Sequence, residues 1–222
     1  MPFWPSLLAT SPMSKGFFVT GTDTNVGKTV LAALLCAALP AMYWKPIQTG
    51  AREGSDRRQA KSWAGVNDDQ VLPEFCVFDD PVSPHLAAQR AGSEIVLEQI
   101  ELPRANSSMP LIVEGAGGVM VPINSHQFMT DLMRHLALPA ILAARSTLGT
   151  INHTLLSVEC LRSARIQIRG VVLIGPENRE NRKAIEYYGK IQVIGQIPVL
   201  ETINRESLRE AYARHFTKES FL

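Results

Sequence analysis

Cysteine is scarce in this chain: Cys36, Cys76 and Cys160 are the only three in 222 residues, and no two of them form a Cys-x-x-Cys pair. That spacing argues against a zinc site and against a disulfide framework, and it suits a reducing, cytoplasmic compartment. Charge of one sign is also lacking, since 22 basic side chains are interspersed with 21 acidic ones for a formal net charge of +1. No polybasic face is offered to nucleic acid or anionic lipid, and the expected partners are small molecules, with no nucleic acid and no membrane. The opening stretch MPFWPSLLATSPMS is apolar but broken by prolines, lacks a basic start, and is too short to span a bilayer. Residues 1–14 are expected to be an N-terminal extension, with Met13 an alternative start, ahead of one domain over residues 15–222. Internal repeats, low-complexity tracts and linkers are lacking as well.

What is present is a hydrophobic content of 45%, enough for one sizeable core but too little for two comfortable domains. Short apolar runs rich in β-branched and aromatic residues alternate with longer helix-like segments. Strands are expected at residues 17–20, 42–44, 111–113, 140–143, 171–174 and 193–197. Helices are expected at 30–39, 84–91, 130–136, 151–164, 182–188 and 206–215. The fold class is therefore single-domain α/β, a mostly parallel sheet with helices on both faces. Residues 51–69 are polar and contain glycine, which reads as a mobile surface loop. Functional loops of such folds follow the carboxyl ends of the strands.

The stretch VTGTDTNVGKTV at residues 19–30 follows the first strand and opens a helix. Strand, glycine-containing loop and helix are the context in which Gly-Lys-Thr binds phosphate, although five residues separate Gly21 from Gly27 where the usual pattern has four. Backbone N–H groups of Asn25, Val26, Gly27, Lys28, Thr29 and Val30 form the expected anion site, aided by the helix dipole. Lys28 can reach the β- and γ-phosphates, and the Thr29 hydroxyl can ligate Mg2+.

A phosphate-bound Mg2+ needs a few protein oxygens. In PLIVEGAGGVMVPI, Glu114 ends a buried strand, and Gly115, Ala116 and Gly117 leave backbone free to approach a ligand, unless the segment is a structural turn. Asp56, in REGSDRRQA, is either a third ligand or a solvated loop residue. In YWKPIQTG, Lys45 follows an apolar run; it either snorkels to water or joins Lys28 over a reacting phosphoryl group. Thr49 lies within reach of the same cavity if the loop folds back.

Taken together, GTDTNVGKT, KPIQTG, SPHLAAQ, VEGAGGVMVPI and LGTINHTLLS resemble the dethiobiotin synthetase family, in this order from about Val19 to Leu156. The five-residue loop spacing is that family's variant of the phosphate-loop NTPase motif. The resemblance implies an ATP-dependent carboxylase and cyclase of biotin biosynthesis, acting on 7,8-diaminononanoate, CO2 and MgATP. It places Lys28 and Lys45 on the γ-phosphate and carbamate, with Thr29, Asp56 and Glu114 around Mg2+. It places Thr24, Thr49 and the Gly117 backbone along the diamine. The helix start at Thr150, Ile151 and Asn152 would hold the substrate carboxylate of the neighbouring subunit, implying a homodimer with active sites at the interface. Thr150 or Asn152 reads as that helix's cap. Tyr187 in AIEYYG is a candidate to add a hydroxyl there, the alternative being a core aromatic. His85 and His153 read as packing or capping residues.

Two positions depart from the family pattern. Asn25 stands where a glutamate is frequent, and Ile174 stands where many members place an adenine-reading asparagine. Base contacts are then expected from backbone around Gly175 and Pro176 and from the turn Pro198, Val199 and Leu200, with Asn178 and Asn181 as candidate substitutes. Acceptance of CTP and GTP beside ATP follows as an expectation. A cobyrinate-type amidating ligase would need a glutaminase domain for which there is no room. A partitioning ATPase would carry a lysine at the loop start, where Thr22, Asp23 and Thr24 stand, and a catalytically dead module would lack a key polar residue that is present here.

Overall fold

The computed structural model describes residues 16–103, 109–217 and 221; the extension expected over residues 1–14 lies outside the described residues. In chain order the elements are β1 (Gly16–Gly21), α1 (Lys28–Ala38), β2 (Met42–Trp44), β3 (Ile47–Gln48), α2 (Asp56–Ala64), β4 (Cys76–Val77), α3 (Pro84–Arg90) and β5 (Leu111–Glu114). There follow α4 (Met129–Leu136), β6 (Ala140–Arg145), α5 (Thr150–Ser163), β7 (Ile168–Ile174), α6 (Arg179–Gly189), β8 (Val193–Ile197) and α7 (Arg205–His215).

Six strands form one sheet in the order β2-β5-β1-β6-β7-β8, and β3 pairs with β4 apart from it. Every pairing between these strands is parallel, and an isolated antiparallel bridge joins Gly195 of β8 to Phe216, so the sheet is mostly parallel as expected. Parallel strands need both faces covered, which is why their sequences read as continuous apolar runs. All six residues of β1 are buried. Phe18 packs into one core with Val113, Leu132 and Val158, while Phe17 and Val19 face another with Leu31, Ile112 and Leu208. Thus α3, α4, α5 and α6 supply one layer, and α1, α2 and α7 supply the other. Helix α1, KTVLAALLCAA, is buried nearly all round, as a helix enclosed on several sides must be. Among the described residues, no helix is long and apolar enough to cross a membrane.

All six expected strands and six expected helices exist, most with ends displaced by one to three residues. One expectation is corrected. Residues 51–69 contain helix α2, where Ser55 accepts a hydrogen bond from Arg58 N (3.3 Å) as N-cap and Gly65 closes the end at φ 61°. Its apolar face is the i, i+3, i+4 set Ala60, Trp63 and Ala64, a stripe that is short and set among charged and polar residues. Strand order reverses at β1, flanked by β5 and β6, and the crevice beyond the carboxyl ends of such strands is the binding position of open parallel sheets.

Candidate active site

The loop after β1 is anchored at both sides. Thr22 N donates to Ala143 O (3.0 Å), and Arg145 Nη2 donates to Thr24 O (3.1 Å). The turn into α1 passes through left-handed Asn25 (φ 56°) and Gly27 (φ 97°). A Cβ at Gly27 would lie 2.8 Å from Ile174 Cδ1, so only glycine lets the loop settle on the end of β7. No side chain caps the start of α1, leaving its first-turn N–H groups to an anion. Lys28 Nζ donates to Asp23 O (2.9 Å) across the loop.

Glu114, at the end of β5 and 1% exposed, is the hub of the charged cluster. Its Oε1 accepts from Thr29 Oγ1 (2.8 Å) and Lys45 Nζ (3.2 Å), and its Oε2 accepts from Tyr43 Oη (2.8 Å). Lys45 Nζ also pairs with Asp56 Oδ2 at 2.8 Å. Burying a carboxylate this deeply is tolerable only because hydrogen-bond donors and an ammonium surround it. The two lysines are thereby pulled apart in acidity. Burial first, then the neighbouring Lys45 charge, lower the Lys28 pKa to about 8. Burial also pulls Lys45 down, but Glu114 and Asp56 together outweigh it and raise its pKa above the ordinary lysine value.

Asp56 reaches this cluster because it is the first residue of α2, not a residue of a free loop. Gln48, buried on β3, accepts from Asp56 N through Oε1 (3.2 Å) and donates to Thr49 O (2.6 Å), tying the KPIQTG segment to the helix start. A cleft of roughly 790 Å³ opens over the cluster, and Thr24, Thr49, Ala116 and Gly117 line it with Lys28 and Lys45. That volume is ordinary for a small-molecule site.

Asn25, Gly27, Thr29 and Val30 line it too, whereas the residues expected to meet the base and those of α5 and α6 do not. Gly175 N donates to Ile197 O (2.9 Å), setting Gly175 and Pro176 beside the turn of Pro198, Val199 and Leu200 at the ends of β7 and β8. Gly175 has φ 123° and carries the Ser146 hydroxyl 2.7 Å from where its Cβ would be, so no larger residue fits. Asn178 Oδ1 accepts from Asn181 N as the cap of α6, and Asn181 Nδ2 donates to Ser146 O (2.9 Å), so both amides are engaged.

The expected cap of α5 is corrected: Gly149 (φ 92°) occupies that position without a side-chain bond, and the buried Thr150 hydroxyl meets Thr154 Oγ1 at 3.3 Å. Ile151 is half-buried and Asn152 is exposed. Tyr187 is not a core aromatic; it is exposed on α6, edge-on to Tyr188 with centroids 5.0 Å apart. His85 Nδ1 lies 3.0 Å from Ser83 Oγ at the start of α3, and His153 is exposed. Sequence reading passed over Tyr43, Gln48 and Arg145. For Tyr43 a signal existed, because a residue two positions before Lys45 on an extended strand shares its face.

A family model described as an AAA domain matches residues 15–207. An ATP-dependent dethiobiotin synthetase of Brucella melitensis is 43% identical over 209 residues, spanning 94% of this chain and 98% of that protein. One of Brucella abortus is 42% identical over the same shares. Among solved structures, a ParA family ATPase from Chlorobium tepidum TLS superposes with a TM-score of 0.50 at 13% identity, covering 89% of this chain and 90% of its own, a likeness of fold alone. With nearly the whole length matched at such identity, this chain belongs to the ATP-dependent dethiobiotin synthetase family.

Proposed function

We propose that this chain makes dethiobiotin, carboxylating 7,8-diaminononanoate with CO2 and closing the ureido ring as ATP is cleaved to ADP and phosphate. The observation that carries this reading is the gathering of Thr29, Lys45 and Asp56 around Glu114 beside the phosphate loop, in a cleft that also holds Lys28. A free alkyl amine has a pKa of about 10.4 and cannot attack CO2 until it loses its proton. Two ammonium groups nearby favour the neutral amine and then hold the anionic carbamate. The carbamate oxygen takes the γ-phosphoryl group, and the second amine attacks the carbonyl carbon as phosphate leaves. Lys28 and Lys45 offset the charge that develops in both steps.

The Thr29 hydroxyl and the carboxylates of Asp56 and Glu114 are hard oxygen donors that fit Mg2+, with phosphate and water completing the shell. That ion would draw charge from the β- and γ-phosphates. Phosphates lie on the N–H groups of residues 25–30, and the Glu114–Gly117 turn borders them. The base lies by Gly175, Pro176 and the turn of Pro198, Val199 and Leu200, and Thr24, Thr49 and the Gly117 backbone line the diamine. We place the activity in the cytoplasm, in a domain over residues 15–222. Incubation with diaminononanoate, bicarbonate and MgATP is expected to yield dethiobiotin by mass. A protein that binds nucleotide and yields none refutes the activity.

The working form we propose is a homodimer. Leu148 (103%), Leu156 (63%), Tyr187 (76%) and Tyr188 (69%) leave an exposed apolar face around α5 and α6. A twofold contact there brings Thr150, Ile151, Asn152 and Tyr187 to the partner's diamine carboxylate. Asn152→Ala is expected to raise KM for the diamine several-fold, and mixing it with Lys45→Ala to restore some turnover. Failure to complement, given proven subunit exchange, places each site within one subunit.

A further inference from the structure

Glu114 is held by its two oxygens unequally. Oε1 meets the Thr29 hydroxyl and the Lys45 ammonium, on the side where Asp56 also arrives. Oε2 meets only Tyr43 among the hydrogen bonds it makes within the described residues, at 2.8 Å. Tyr43 is 1% exposed on β2, and its backbone registers with Ile112 on β5, so the phenol approaches Glu114 along the sheet and not from the cleft. Its O–H is shut away from solvent and cannot swing away without leaving a buried carboxylate oxygen unsatisfied.

We propose that Tyr43 is a positioning residue that occupies Glu114 Oε2, so that the carboxylate offers a single oxygen to the active-site cation and the site prefers Mg2+ to Ca2+. The inference rests on the ligand set proposed above. Mg2+ demands near-octahedral geometry at short distances, into which one carboxylate oxygen fits well. Ca2+ accepts longer bonds, more ligands and both oxygens of one carboxylate. A donor fixed on Oε2 removes the bidentate option and with it the larger ion's advantage.

The test uses the full chain with ADP and either MgCl2 or CaCl2, following nucleotide affinity by calorimetry against metal concentration. In Tyr43→Phe, the ratio of calcium-supported to magnesium-supported affinity is expected to rise at least tenfold, with metal-free ADP binding unchanged. A wild-type ratio in a folded Tyr43→Phe overturns the role of Tyr43. Glu114→Gln separates the two readings: loss of metal dependence there keeps the ligand set standing whatever Tyr43→Phe does, whereas wild-type dependence refutes the ligand set and this inference with it. Should Tyr43→Phe fail to fold, wild-type crystals grown with ADP and Mg2+ decide the matter. Oε2 on Tyr43 with Oε1 alone toward the metal supports the inference, and both oxygens on the metal overturn it.

Discussion

The two halves of the sheet are built alike and equipped differently. Around β1, β2 and β5, charged side chains converge: Lys45 and Glu114 are buried charges that persist because they pair with each other, Lys45 also with Asp56 and Glu114 also with the Thr29 hydroxyl. Around β7 and β8, the strand ends present backbone, glycine and proline, and the amides of Asn178, Asn181 and Gln196 bond to the protein itself. A half that commits charged side chains to one point selects a reacting group. A half that offers shape and backbone selects less sharply.

If that contrast is right, the largest loss comes from the charged half. Lys45→Ala is expected to lower kcat by about a hundredfold to a thousandfold, the range for removing a donor to developing charge, while nucleotide still binds. Near-normal turnover in a steady-state assay would break the comparison at its root. Thr29→Val keeps shape but removes the hydroxyl proposed to ligate Mg2+, so Mg2+-supported nucleotide affinity should fall by roughly a factor of ten or more, read by calorimetry with and without metal.

A pH effect of similar size follows from Lys28. Its folded pKa of about 8 lies below the ordinary value of 10.5, and a bound triphosphate favours the ammonium. Below pH 8 the proton is present in the free protein. Above it, binding must take one up, so affinity should decline by up to tenfold per pH unit, with matching proton uptake in buffers of different ionisation enthalpy. A flat profile between pH 7 and 9.5 argues against an ammonium so depressed. The sign for folding is the reverse: the cost of burying the charged Lys28 is felt below pH 8, and stability recovers between about 8 and 10.5 as the folded state gives up its proton first.

The smallest effect belongs to the backbone half. With Ile174 set against Gly27 and both nearby asparagines engaged, CTP and GTP should support turnover with kcat/KM close to that for ATP. A preference for ATP beyond roughly a hundredfold, about 2.7 kcal/mol, would show that directed hydrogen bonds read adenine after all.

Legibility in the sequence follows the same division. Strands buried on both faces announce themselves as apolar runs, and Gly27-Lys28-Thr29, Lys45 and Glu114 lie at strand ends where a reader looks first. Helix α2 escaped because its stripe of Ala60, Trp63 and Ala64 sits in a segment that is polar on the whole, and Asp56 was therefore read as a loop residue although its Ser55 cap and Gly65 stop were both in view. The β3–β4 pair is two residues long per strand, too short for any period. Tyr43 was overlooked for another reason: an aromatic inside a strand looks like core, and although it shares a face with Lys45, its meeting with the Glu114 carboxylate depends on the register with β5. Ile174 was read for what it fails to offer a base, whereas its side chain serves as the floor beneath Gly27, a tertiary contact that no local pattern encodes.

The position of β1 has a consequence for synthesis on the ribosome. Val19 pairs in register with Glu114 on one side and Ile141 on the other, although among the described residues β1 precedes both partner strands in the chain. Until β6 has emerged, through Arg145, the nascent chain exposes at least one bare edge of a strand that the folded protein buries along its whole length. Such an edge is a site for wrong pairing, and closing contacts this distant in sequence is slow. Nucleotide cannot rescue this stage, since the loop it would bind is anchored by Ala143 and Arg145 themselves. Refolding yields that fall as protein concentration rises are the expected outcome for a topology that sets β1 between two strands made after it.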